Sequence, residues 1–168
     1  MNEIHIFPIL YSSNLKLRKL DFDDIPLLIK YADNRKVSDQ IINIPYPYRE
    51  PDAVFRLGYI LKGFKAKSRF VFAIAQKESN EFIGEISLHI EQNNQAQLGY
   101  WLGEPFWGKG YAKEAIEAIT KFGFEKLELA KIYALCHEDN IASQKVVEWN
   151  EYVKVSITGR VILFEREI

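Results

Sequence analysis

The stretch Gly103-Glu-Pro-Phe-Trp-Gly-Lys-Gly-Tyr-Ala112 decides how the rest of this 168-residue chain is read. A strand-like run, Ala96-Gln-Leu-Gly-Tyr-Trp-Leu102, leads into it. An amphipathic helix follows, from about Lys109 to Phe124, with Ala112, Ala115, Ile116, Ile119 and Phe122 on one face. The first N–H groups of a helix have no partner within it and carry partial positive charge, so such a junction readily holds phosphate oxygens. Gly108 and Gly110 let a ligand approach the backbone closely, and Lys109 stands between them. The first inference is a pyrophosphate-bearing ligand lying between the strand and the helix.

Outward from this junction the chain alternates strand and helix signals. Leu15 to Leu20 reads as a first strand. Asp21 to Asp24 offer capping carboxylates before a helix over Ile25 to Tyr31. Ile44-Pro-Tyr-Pro-Tyr48 is a loop, because two prolines remove donors and restrict their neighbours. Pro51 to Phe64 makes a second helix with Val54, Leu57, Leu61 and Phe64 on one face. Arg69 to Ala75, Phe82 to His89 and the 96–102 run form an antiparallel meander. Lys131 to Cys136 is a buried strand, Asn140 opens a short helix from Ala142 to about Asn150, and Tyr152 to Ile157 with Val161 to Glu165 closes as a hairpin. The order β-α-α-β-β-β-α-β-α-β-β predicts an α/β (α+β) fold, a mixed and mostly antiparallel central sheet with helices on both faces. With no repeat or linker, one domain over residues 1–168 is expected.

Composition narrows the function classes. Apolar residues at 48% and charged residues at 27% fit a packed core and exclude a disordered chain. A net charge of −1 gives no surplus that would demand nucleic acid or an anionic membrane. The single cysteine, Cys136, excludes an internal disulfide and fits a reducing compartment. With no signal-like N-terminus and no membrane-length apolar run, a cytoplasmic protein is expected.

Three readings compete at the loop. The spacing Gly103-x4-Gly108-Lys109 begins a nucleotide P-loop, but Gly110 stands where a Ser or Thr hydroxyl should meet magnesium. A dinucleotide fingerprint needs a third small residue where Lys113 stands. The third is an ordinary glycine-rich turn. The neighbours add a fourth: Leu98-Gly-Tyr-Trp-Leu102, Phe106-Trp-Gly-Lys-Gly-Tyr-Ala112-x-Glu114-Ala115 and Asn140-x-Ala-Ser143 resemble the Gcn5-related N-acetyltransferase (GNAT) family, in its RimJ/RimL-like branch. The likeness runs from Leu15 to the final hairpin. Trp107 departs from the family's usual Gln or Arg at the head of the loop, and Trp149 and Glu151 depart from its Glu-Lys-x-Gly-Phe ending.

The resemblance implies an acetyl-CoA-dependent N-acetyltransferase that moves the acetyl group directly to a primary amine. Backbone groups of Tyr100, Trp101 and Leu102 would pair with the pantetheine arm, the loop from Trp107 and Gly108 through Lys109, Gly110 and Tyr111 to Ala112 would hold the pyrophosphate, and Asn140 and Ser143 would flank the arm and its sulfur. No metal is implied. Such a transfer needs a base for the ammonium, donors for the oxyanion and a donor for the departing thiolate. A backbone N–H near Trp101 or Leu102 is the oxyanion candidate, Ser143 the thiolate donor and Glu85 the base. His89, at the far end of Glu85's strand, is expected to face away from it. Gln97 stands where relatives carry an acid, and Cys136 reads as a buried hydrophobe rather than a nucleophile. The acceptor side would be built by the first two helices and the Ile41 to Tyr48 loop, with Tyr46, Tyr48 and Phe55 as an aromatic wall. The expected acceptor is a protein N-terminus, possibly ribosomal, or a small-molecule amine, with neither nucleic acid nor membrane as partner, in a monomer or homodimer. The alternative is a non-catalytic acyl-CoA-binding sensor or scaffold.

Overall fold

The computed structural model describes residues 4–41 and 43–168. Its strands are β1 (Leu10–Tyr11), β2 (Leu15–Arg18), β3 (Arg69–Gln76), β4 (Phe82–Glu91), β5 (Gln95–Leu102), β6 (Lys131–His137), β7 (Val153–Thr158) and β8 (Val161–Glu167). The helices are α1 (Ile25–Ala32), α2 (Arg35–Ser38), α3 (Glu50–Lys65), α4 (Tyr111–Glu125) and α5 (Ile141–Trp149). The strands make one sheet in the order β1-β2-β3-β4-β5-β6-β8-β7. Every neighbouring pair is antiparallel except β5 and β6. That exception follows from the connection: α4 carries the chain back over the sheet before β6 begins, as a parallel pair requires. Among the described residues no helix is long and apolar enough to cross a membrane.

Helices cover both faces. α4 lies on the face of Leu88 and Ile132, so close that a Cβ on its Gly123 would meet their side chains at 3.0 and 2.7 Å. Ile116, Ile119 and Phe122 fill that face, and Phe122 packs edge-on against Phe70 and Phe72, each at 5.6 Å between ring centres. α3 covers the other face, turned from its expected setting. It buries Ala53, Leu57, Ile60 and Gly63 and leaves Val54 half exposed. The cause is a stripe of small residues: the Arg69 stem passes where a Gly63 Cβ would sit, 2.0 Å from its Cγ. This rotation points Arg56 at the sheet.

The feature that positions the site is a fork. β5 and β6 pair from Gln95–Lys131 to Leu98–Ala134 and no further, although β5 continues to Leu102 and β6 to His137. β4 holds β5 along its full length, and β8 holds β6 from Lys131 to His137. Each strand is therefore fixed on its outer side while the inner edges part.

Candidate active site

The backbone groups that face the fork follow from the ladder. Gly103 N–H donates to Ile83 O at 2.8 Å, and β4 and β5 run in unbroken register from Gly84–Leu102 to Glu91–Gln95. Antiparallel pairing alternates, so Trp101 points its N–H and C=O toward Glu85 in β4, while Tyr100 and Leu102 point theirs into the fork. This corrects the expectation for Trp101: its backbone is engaged in the sheet and is not turned to a ligand. Leu102 O already accepts from Trp107 Nε1 at 2.8 Å, which leaves Leu102 N–H and both groups of Tyr100 toward the gap. The same indole bond ties the loop to β5. A tryptophan at position 107 is thus part of the loop's framework.

Above the fork stands the start of α4, two residues later than expected. Its N-cap is Gly110, with φ +81° and no side chain to cap the turn. Gly108 has φ +72°, and a Cβ at either glycine would meet nothing within 4 Å. Glycine is therefore required here by the left-handed backbone and not by crowding, and the open side faces the first-turn N–H groups. Lys109 is exposed beside them. Glu114, one turn into α4, accepts from Ser12 Oγ at 2.7 Å and from Asn14 N at 3.0 Å and Asn14 Nδ2 at 2.6 Å, which pins the β1–β2 turn to the helix start. Burial raises its proton affinity, and these three bonds outweigh burial and hold its carboxyl below the usual range.

At the inner end of the fork three side chains meet. Ser143, in the first turn of α5, has its Oγ 2.8 Å from Tyr100 Oη and 3.4 Å from Cys136 Sγ. Its N–H donates to Asn140 Oδ1 at 3.1 Å, so Asn140 caps the helix that carries the serine. Burial pushes the Tyr100 phenol up to about 12, against a partly offsetting bond with Ser143. Burial likewise raises the Cys136 thiol, which suits a packed hydrophobe and not an attacking thiolate.

On the α3 face Glu85 lies 1% exposed. Arg56 Nε donates to its oxygens at 3.0 and 2.7 Å, Arg56 Nη2 donates to Oε2, and Trp101 Nε1 donates to Oε2 at 3.1 Å. A carboxylate holding these N–H groups has little lone-pair capacity left for an ammonium proton, so the geometry does not favour Glu85 as a direct base. His89 shares this face: it lies four residues from Glu85, and the strand period is two. It pairs with Gln97, below the point where β5 and β6 part. Burial, then Arg69 and Arg56, lowers its pKa. Tyr48 is buried and its hydroxyl has no hydrogen-bond partner, while Tyr46 and Phe55 are exposed, so the expected aromatic wall is split between core and surface. Residue 42 of the neighbouring loop lies outside the described residues. Glu151, where the resemblance leads one to expect glycine, adopts φ +64°, and Arg166 binds its carboxylate.

The partners that sequence reasoning missed are Arg56, the Tyr100 hydroxyl and Glu114. The first two are long-range pairings of residues that read as helix surface and strand. The third stands within the loop motif and reads as an ordinary acid in the first turn of a helix.

The arrangement offers unpaired backbone groups along one strand, an uncapped helix start above it and a hydroxyl at its foot. It fits a ligand with a pyrophosphate at one end and an amide-bearing arm. Residues 14–153 match the acetyltransferase (GNAT) domain family model. The uncharacterized N-acetyltransferase p20 of Bacillus licheniformis is 30% identical over 141 residues, which cover 82% of this chain and 78% of that protein. The ribosomal-protein-serine acetyltransferase of Escherichia coli (strain K12) is 33% identical over 78 residues, 45% of this chain and 44% of that one. The structure of RimL, a ribosomal L7/L12 alpha-N-protein acetyltransferase in complex with coenzyme A, superposes with a TM-score of 0.85 at 22% identity, over 96% of this chain and 98% of that one, which shows a shared fold. The chain belongs to the GNAT acetyltransferase family. Within it, the likeness is to the RimJ/RimL-like branch, and the protein is an acetyltransferase of that kind.

Proposed function

We propose that this protein transfers the acetyl group of acetyl-CoA directly to the α-amine of a protein N-terminus, within a ternary complex in the cytoplasm, and that residues 1–168 act as one catalytic domain. The observation that carries this reading is the fork. Past Leu98 and Ala134 the sheet presents Tyr100 and Leu102 backbone groups with no ladder partner, directly beneath an uncapped helix start. RimL, with the same fold, binds coenzyme A and is named for acting on a ribosomal protein's α-amine.

Acetyl-CoA supplies the acetyl group as a thioester, an acyl carrier activated for attack by an amine. Tyr100 N–H and C=O hold the arm as an added strand would, with Asn140 beside it. The first N–H groups of α4, with Lys109, hold the pyrophosphate. Leu102 N–H is the donor for oxyanion charge on the acetyl oxygen. Ser143 O–H is the donor to the departing sulfur. Glu85 acts as a positioning residue. It holds Trp101, whose neighbours Tyr100 and Leu102 line the fork, and it neutralises Arg56. The ammonium proton leaves to water on the open side.

The test is thiol release from acetyl-CoA with a panel of N-terminal peptides and small primary amines. The expected result is turnover with peptides, with the acetyl group found by mass spectrometry on the α-amine. Turnover with small amines alone would replace the acceptor class. Tight acetyl-CoA binding with no acetyl consumed by any amine would replace the enzyme by an acyl-CoA sensor or scaffold.

A further inference from the structure

Ser143 has one hydroxyl proton, and the side chains around it decide where that proton points. Tyr100 Oη stands on one side at 2.8 Å and Cys136 Sγ on another at 3.4 Å. Either atom of the Tyr100–Ser143 pair can donate by distance alone. The phenol, the more acidic of the two hydroxyls, is the better donor. Burial pushes the phenol up to about 12, so across the ordinary assay range Tyr100 keeps its proton. A half-buried phenol that keeps its proton donates to an acceptor within reach, and Ser143 Oγ is the side-chain atom that stands there. With Tyr100 as donor, Ser143 directs its own O–H away from the phenol, and Cys136 Sγ at 3.4 Å is a neighbour that can itself donate to Ser143 Oγ. A helical serine without such a neighbour tends to turn its proton back to a carbonyl of the preceding turn.

We propose that the Tyr100 side chain is a positioning residue for acetyl transfer: by donating to Ser143 Oγ it fixes the Ser143 proton on the side where the cofactor's sulfur departs. The inference rests on the reading of Ser143 given above. When the C–S bond breaks, its electron pair goes to sulfur. Ser143 gives that sulfur its proton and takes one back from water, and Tyr100 keeps its own proton while its bond strengthens toward the charge that develops on Ser143 Oγ. Its strand thus contributes twice, through backbone groups that hold the arm and through a hydroxyl that aims the donor.

The experiment is a double-mutant cycle on the full chain with Tyr100→Phe, Ser143→Ala and the pair, read as kcat and as KM for acetyl-CoA. Phenylalanine keeps the ring and its packing, and a thermal shift with acetyl-CoA checks the fold of each variant. Ser143→Ala is expected to lower kcat at least about tenfold. Tyr100→Phe is expected to lower kcat by about fivefold, the worth of one hydrogen bond, with KM within about twofold. The double variant is expected to be no slower than Ser143→Ala, because there is no proton left to aim. Losses that multiply would overturn the proposal, as would full kcat in Tyr100→Phe or a loss confined to KM. Full kcat in Ser143→Ala would instead overturn the reading of Ser143 itself, and the inference with it.

Discussion

On the α4 side of the fork, the groups turned toward a ligand are mostly backbone: Tyr100 N–H and C=O, Leu102 N–H and the first turn of α4. On the α3 side the polar groups are side chains, largely buried and locked to one another: Arg56, Glu85 and Trp101, with the Tyr48 hydroxyl buried nearby. Backbone groups are kept by the fold whatever the side chains are. A ligand held by such groups is therefore insensitive to most side-chain changes around it. Side-chain pairs are specific to their residues, and breaking one leaves a buried charge. The comparison separates a side built from backbone groups from one built from paired side chains.

The sharpest break of that comparison is Gly110→Glu. It puts a Cβ on a backbone at φ +81° and a negative charge at the helix start. We expect acetyl-CoA affinity to fall by about a hundredfold or more, by calorimetry, with the fold retained. Unchanged affinity would move the pyrophosphate elsewhere. Next in size is Glu85→Gln, which strands the Arg56 charge. Removing one partner of a buried pair costs about 3 kcal/mol, roughly a 10 °C fall in Tm for a chain of this size. We expect that fall together with a pH–rate profile of unchanged shape. An unchanged Tm with the low-pH limb of kcat lost would restore Glu85 as the base.

These expectations depend on how much the sequence reveals of each side. Every major strand and helix was legible, because each carries its own period of two or of 3.6 and its own turn residues. The fork was not legible from residue patterns. Leu98-Gly-Tyr-Trp-Leu102 reads as an unbroken strand, and only the resemblance to acetyltransferases suggested that its inner edge opens. The Arg56–Glu85 pair was hidden because α3 was placed by its larger apolar residues, Val54 and Leu61. The small stripe at Ala53 and Gly63 turns it instead. The direction of the Trp101 backbone groups depended on the register between β4 and β5. His89, by contrast, shares the Glu85 face by the strand period alone, four residues on, so the expectation that it faces away was a miscount of parity. Glu151 stands in a left-handed turn, φ +64°, a conformation that composition alone does not announce at a glutamate.

Smaller effects sharpen the same contrast. Lys109 is exposed, so Lys109→Ala should weaken acetyl-CoA binding by about threefold, an effect that shrinks as salt rises, because a solvated charge is screened. A salt-independent loss of a hundredfold would make a side chain, and not the backbone, the main phosphate holder. The smallest effect concerns Glu114. Its folded pKa lies below its ordinary 4.5, so its contribution to stability is present above that value and is lost as pH falls through the lower folded one. Glu114→Gln should flatten the acid limb of the Tm–pH curve and leave Tm at pH 8 lower. An unchanged acid limb would remove Glu114 as the tie between the β1–β2 turn and α4.

The most direct test of the central claim is residue-resolved amide hydrogen exchange with and without acetyl-CoA. A ligand strand in the fork should slow exchange at Tyr100 and Leu102 and in the first turn of α4. The Trp101 amide, already bonded within the sheet, should change little. Protection that spares Tyr100 and Leu102, or that falls elsewhere on the sheet, would contradict the account.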